Sequence, residues 1–113
     1  MKKYNIESSY KFDIAFKRLS KKYKTLENEL IELSKSLSLN PKQGSDLGGG
    51  LFKIRMASKS KGGGKSGGFR VITYYVEKTK KGETLYLVRI YDKSEFSSID
   101  SKSLLKIVNA ELE

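Results

Sequence analysis

The sequence predicts an α+β fold: an antiparallel sheet with an N-terminal strand and a two-helix hairpin packed on one face, in the order β-α-α-β-β-β-α. Three observations predict it. Apolar residues recur at helical spacing in two successive stripes between residues 12 and 37. Residues 51–57 alternate between apolar and polar. Two runs rich in strand formers, 69–76 and 84–91, are joined by a short turn. Strands joined by short loops pair antiparallel, and a helical hairpin with apolar stripes must bury them on a sheet face.

Residues 2–7 alternate weakly, with Tyr4 and Ile6 on one side, and read as the first strand. Ser8-Ser9 supplies helix-capping hydroxyls. Phe12, Ala15, Phe16, Leu19 and Tyr23 then form one helical stripe, and Leu26, Leu30, Leu33 and Leu37 a second. Glu27 and Glu29 sit in the first turn of the second helix, where negative charge suits the dipole. Asn40-Pro41 ends it. In the strand from Leu51 to Ala57, Phe52, Ile54 and Met56 point one way, and Leu51, Lys53, Arg55 and Ala57 the other. Residues 58–68, SKSKGGGKSGG, read as a flexible loop. Phe69–Val76 and Thr84–Tyr91 are strands, joined through Lys80-Lys81-Gly82, where Gly82 is free to take positive φ. Asp100 caps a last helix, with Ile99 and Leu104 as a hydrophobic staple. Leu104, Leu105, Ile107, Val108 and Leu112 give that helix its apolar face. A chain of 113 residues predicts one domain, 1–113.

Lys and Arg number 23 against 13 Asp and Glu, a formal charge of +10, and the chain holds no His and no Cys. The missing Cys excludes disulfides, thiolate nucleophiles and zinc knuckles. The missing His removes the usual metal ligand and the usual general base near neutrality, so neither metal nor cofactor is expected. No apolar run approaches the length of a membrane span. Met1-Lys2-Lys3 starts basic, but no uninterrupted apolar stretch follows, so no signal peptide is expected and the location predicted is cytoplasmic. An excess of ten positive charges points to a polyanion or an acidic protein as partner.

The charge is unevenly placed. Between Leu47 and Val76 there are six basic residues, Lys53, Arg55, Lys59, Lys61, Lys65 and Arg70, and no acidic one. Lys53 and Arg55 share a strand face, ~7 Å apart. In the last strand Leu85, Leu87, Arg89, Tyr91 and then Lys93 are expected to share a face. If the helices cover Phe52, Ile54 and Met56, the basic pair faces away onto an open concave surface, where Arg89, Tyr91 and Lys93 join it. Ordinary outward lysines on an exposed sheet are the bland alternative. The glycine loop fails as a nucleotide-binding P-loop: Gly64-Lys65-Ser66 matches its end, but Lys59 stands where its first Gly belongs. It reads either as a plain linker or, preferably, as a loop whose amides and three lysines grip a sugar-phosphate chain.

Together, several runs resemble the RelE/ParE toxin superfamily, nearest its HigB-like, RelE-type branch. They are Gly50-Leu51-Phe52-Lys53-Ile54-Arg55, Gly64-Lys65-Ser66-Gly67-Gly68, Phe69-Arg70-Val71-Ile72 and Ile90-Tyr91-Asp92-Lys93-Ser94-Glu95. Leu19, Lys21-Lys22-Tyr23 and Asn40-Pro41 also fit. The resemblance implies a bacterial type II toxin that enters the ribosomal A site and cleaves mRNA, held inactive by a cognate acidic antitoxin. It implies a metal-free site on the sheet face. Carried onto this chain, the catalytic set is Lys53, Arg55, Lys65, Arg70, Tyr91 and Lys93, with Lys59, Lys61, Arg89 and Glu95 as RNA-binding residues.

RNA carries its own nucleophile, the 2′-OH, so the enzyme must align it and move protons. Crowded cations lower a lysine's pKa, which suits Lys65 or Lys53 to base or acid duty. Arg70 and Arg55 are expected to grip the phosphate. Tyr91 would stack on a base or assist proton transfer. Glu95 would act as a base or, preferably, orient Lys93. A second class stays open at this point: a non-catalytic binder, either a gyrase-directed ParE-like relative or a small RNA-binding module.

Overall fold

The computed structural model describes residues 5–61, 68–77, 80, 82–95 and 101–111. Strand β1 spans Asn5–Ser8, and helices α1 (Tyr10–Lys22) and α2 (Leu26–Leu39) follow. Ser9 makes the first junction. Its Oγ accepts the Phe12 N–H at 3.0 Å and donates to the Val88 carbonyl at 2.7 Å. One hydroxyl therefore caps the helix and ties its start to the sheet. Both predicted stripes face inward: Phe12, Leu19, Leu26 and Leu37 are buried, and Ala15, Phe16, Leu30 and Leu33 are partly so. Each fully buried leucine contributes about 1.5–3 kcal/mol relative to exposure.

The sheet is completed by β2 (Ser45–Gly48), β3 (Leu51–Met56), β4 (Phe69–Val76) and β5 (Thr84–Asp92), in the order β1-β5-β4-β3-β2. Helix α3 spans Ser101–Glu111. The strands from β2 to β5 pair antiparallel, each with the next along the chain. Strand β1 pairs parallel with β5, from Asn5↔Thr84 to Ser8↔Leu87, which makes the sheet mixed. Strand β2 is an addition to the predicted order. Its sequence, Ser-Asp-Leu-Gly, is poor in strand formers. It is held by pairing with Phe52 and Lys53, and by Asp46 Oδ1, which accepts the Gly48 N–H at 2.7 Å. The turn before β5 uses Gly82 at φ +94°, the positive φ expected of it.

The two sheet faces carry separate cores. Ile54, Met56, Phe69, Val71, Leu85, Leu87 and Ile90 pack under α1 and α2. On the opposite face Leu104 and Val108 of α3 bury against Leu51, Ile72, Val88 and Tyr91. That face is therefore partly roofed, not fully open.

One expected alternation is corrected. Pairing runs Ile72↔Arg89 and then Thr73↔Leu87, so Val88 is an extra residue in β5. This bulge reverses the side-chain parity. Leu85 and Leu87 face the helical hairpin, whereas Arg89 and Tyr91 lie on the α3 face. Tyr4, Lys81, Ile99, Asp100, Leu112 and residues 62–67 lie outside the described residues, and with them the predicted Ile99 staple, the Asp100 cap and the start of the predicted first strand. Among the described residues, no helix is long and apolar enough to cross a membrane.

Candidate functional site

Cross-strand register decides which cations meet. Arg55 pairs with Arg70, and Arg70 pairs with Tyr91, so three adjacent strands place these residues in one row. The next row is Lys53, Ile72 and Arg89. Directly opposed side chains on one face start ~4.5–5.5 Å apart at Cβ. Four basic residues and a tyrosine predicted as site residues thus share one patch on the α3 face. Arg55 is exposed, Lys53 and Arg89 are half-buried, and Arg70 and Tyr91 are buried at 5% and 2% exposure.

Burial gives the tyrosine its character. Withdrawal from water pushes the Tyr91 hydroxyl above its usual range, against the opposing pull of the Arg70 and Arg89 guanidiniums. It therefore keeps its proton at neutral pH, which makes it a hydrogen-bond donor and not a base. Its ring is covered by the α3 core, so base stacking on it is closed off. Arg70 is fixed in turn, with Nη1 donating to the Phe69 carbonyl at 3.3 Å.

The remaining predicted residues are placed differently. Lys93 is exposed just past β5, and its backbone N–H donates to the Gly68 carbonyl at 3.3 Å. Glu95 is paired with Arg18 at 3.2 Å and so has a partner other than Lys93. Lys59 is exposed, with its backbone N–H donating to Glu29 Oε2 at 2.8 Å. Lys65 lies outside the described residues. Lys61 turns inward: its ammonium pairs with Asp92 and sits over the rings of Tyr23 and Phe69, 5.7 and 5.4 Å from their centroids.

Reading the sequence alone misses that second cluster. Tyr23 registers as a stripe residue and, with Lys21-Lys22, as part of a run that resembles a family, and Asp92 only as part of another such run. The one available signal is an acid at the end of an apolar strand, a position that demands a partner. In the structure Asp92 has several. Burial pushes its carboxyl up, but hydrogen bonds from Lys61, the Ser94 amide and hydroxyl, and Tyr23 overcome this and hold it at about 2.

A family model described as the RelE toxin of the RelE / RelB toxin-antitoxin system matches residues 10–110. The chain belongs to the RelE toxin family. This RelE-family protein is accordingly the toxin of a type II toxin-antitoxin pair, and an antitoxin is its partner. The matched span includes every described residue of the basic rows and of the Asp92 cluster.

The Asp92 cluster gives the RelE-family toxin an acid-sensitive element. A carboxyl held below its unfolded value stabilises the fold above that value, and the contribution is lost as pH falls through the folded one. The window here runs from about pH 4 down to about 2. Urea unfolding midpoints should fall across that window. Asp92→Asn should be less stable at neutral pH and lose less on acidification. A variant with the same acid slope as wild type would remove Asp92 from this role.

Proposed function

We propose that this toxin is a ribosome-dependent endoribonuclease that cleaves mRNA in the ribosomal A site and so stops translation. The observation that carries the reading is the Arg55–Arg70–Tyr91 row, with Lys53 and Arg89 one step along the strands. In this reading the 2′-oxygen attacks the adjacent phosphorus and the P–O5′ bond breaks. The products are a 2′,3′-cyclic phosphate and a 5′-hydroxyl end. Arg70 and Arg55 hold the non-bridging oxygens and stabilise the charge that builds in the transition state. Tyr91, held protonated, donates a hydrogen bond toward the phosphate. Lys53 or Lys65 takes the 2′ proton, and the other, as its ammonium, gives a proton to the departing O5′. Lys93, at the exposed end of β5, steers the RNA backbone together with Lys59 and Arg89.

No base in this set is strong, and a site of this kind depends on substrate alignment. That dependence supports the ribosome as the partner that supplies orientation. The antitoxin suited to a +10 toxin is acidic.

Induction of the toxin alone in a bacterium should arrest growth and translation. Mapping mRNA ends on programmed ribosomes should give 5′-hydroxyl ends in step with the reading frame. Intact mRNA with replication arrested first and DNA damaged would replace this reading with a gyrase-directed one.

A further inference from the structure

Lys61 and Asp92 are 31 residues apart, yet their side chains are only 13% and 5% exposed. An ion pair so buried recovers its desolvation cost poorly, and apolar residues of similar size often serve stability as well. The pair therefore calls for a reason other than stability, and its surroundings supply one. Asp92 pairs across the strands with Phe69, one step from the row in which Arg70 faces Tyr91. Its carboxylate also accepts the Tyr23 hydroxyl at 3.0 Å, and the Ser94 amide and hydroxyl at 2.9 Å each. The next residue, Lys93, donates its N–H to Gly68. Lys61 and Gly68 are the residues on either side of 62–67, the stretch that contains Lys65. Both flanks of that stretch are thus bound to two consecutive residues at the end of β5.

We propose that Lys61 and Asp92 are positioning residues for the ribonuclease site: their ion pair, with Tyr23 beneath it, locks the flanks of residues 62–67 to the end of β5 and fixes the row of Arg55, Arg70 and Tyr91. This rests on the ribonuclease reading above. Neither residue touches the substrate. Asp92 lies between Tyr91 and Lys93 in the chain but points to the other face of the sheet. A loss of its anchor therefore moves the site from behind. Lys61 is accordingly a residue of internal architecture and not one of the RNA contacts.

The test is single-turnover cleavage on programmed ribosomes at saturating toxin, at a temperature well below unfolding. Ribosome affinity is measured in parallel. Lys61→Met retains the packing over Tyr23 and Phe69 but removes the charge. Asp92→Asn retains the shape. Each should lower the saturated rate by about 10–100-fold, the cost of a displacement near 1 Å, while ribosome affinity stays at the wild-type value. Lys61→Arg, which keeps the ion pair, should retain most of the rate. If Asp92→Asn fails to fold, Lys61→Met and Lys61→Arg carry the comparison. Variants that cleave at the wild-type saturated rate would overturn the positioning role and leave only a stabilising one. Wild-type toxin that cleaves no RNA would instead overturn the ribonuclease reading, and the positioning role with it.

Discussion

Arg70→Ala should lower the saturated single-turnover rate of mRNA cleavage by about 10²–10³, with ribosome affinity nearly unchanged, because in the proposed mechanism it removes a transition-state contact worth about 3–4 kcal/mol. The expectation rests on placement. Arg70 is 5% exposed, is opposed by Arg55 on one side and Tyr91 on the other, and has its guanidinium tied to the Phe69 carbonyl. A guanidinium held this way is organised before the substrate arrives and needs little reordering when charge develops. Arg70→Lys keeps the charge but not the planar fork, so it should recover only part of the rate. Lys35 lies on α2, exposed and paired with Glu32 at 3.5 Å, and Lys35→Ala is the surface control that should change nothing. Circular dichroism of each variant separates lost chemistry from lost fold. A normal rate at saturation combined with weaker binding would make Arg70 a backbone-positioning residue and pass its role to Lys65.

Phe69→Ala should destabilise the fold by about 3–5 kcal/mol, the usual cost of emptying a fully buried aromatic site. Phe69 has no exposed surface, meets Tyr23 edge-on at 5.1 Å between ring centroids, and lies beneath the Lys61 ammonium. Its loss opens a cavity and also withdraws the ring that faces a buried cation. Equilibrium denaturation in urea measures the effect. Phe69→Leu, which refills most of the volume, should cost clearly less. A Phe69→Ala protein as stable as wild type would mean that the strand end relaxes into the space, and that the rings do not hold the cluster together.

The parts of this fold that were legible are those whose signal is local. Leu26, Leu30, Leu33 and Leu37 announce a helix face by spacing alone, and Phe52, Ile54 and Met56 announce a strand face by alternation. The shared face of Lys53 and Arg55 follows from the same alternation, and the register then carries Arg70 and Tyr91 to it. The Val88 bulge was not legible, because Thr84–Asp92 reads as one unbroken run of strand formers and an extra residue leaves no mark in it. Strand β2 was hidden by its composition and exists through its neighbour. The inward turn of Lys61 was hidden because a lysine beside glycines and serines reads as solvated, and the acid that draws it in lies 31 residues away. The covering of Tyr91 by α3 depends on how the C-terminal helix docks, which no periodicity specifies.

The parallel pairing of β1 with β5 has a consequence for synthesis. Residues 5–8 find their partners only in residues 84–87, so nearly eighty residues must emerge before the first strand can close. Such long-range closure is slow and comes late. The same late strand brings Tyr91 and the Asp92 anchor. A nascent chain shorter than this therefore lacks the β1 edge of the sheet and the Tyr91 end of the row, although Arg55 and Arg70 are already made. The last strand thus completes the sheet, and α3, made after it, closes the core over Tyr91.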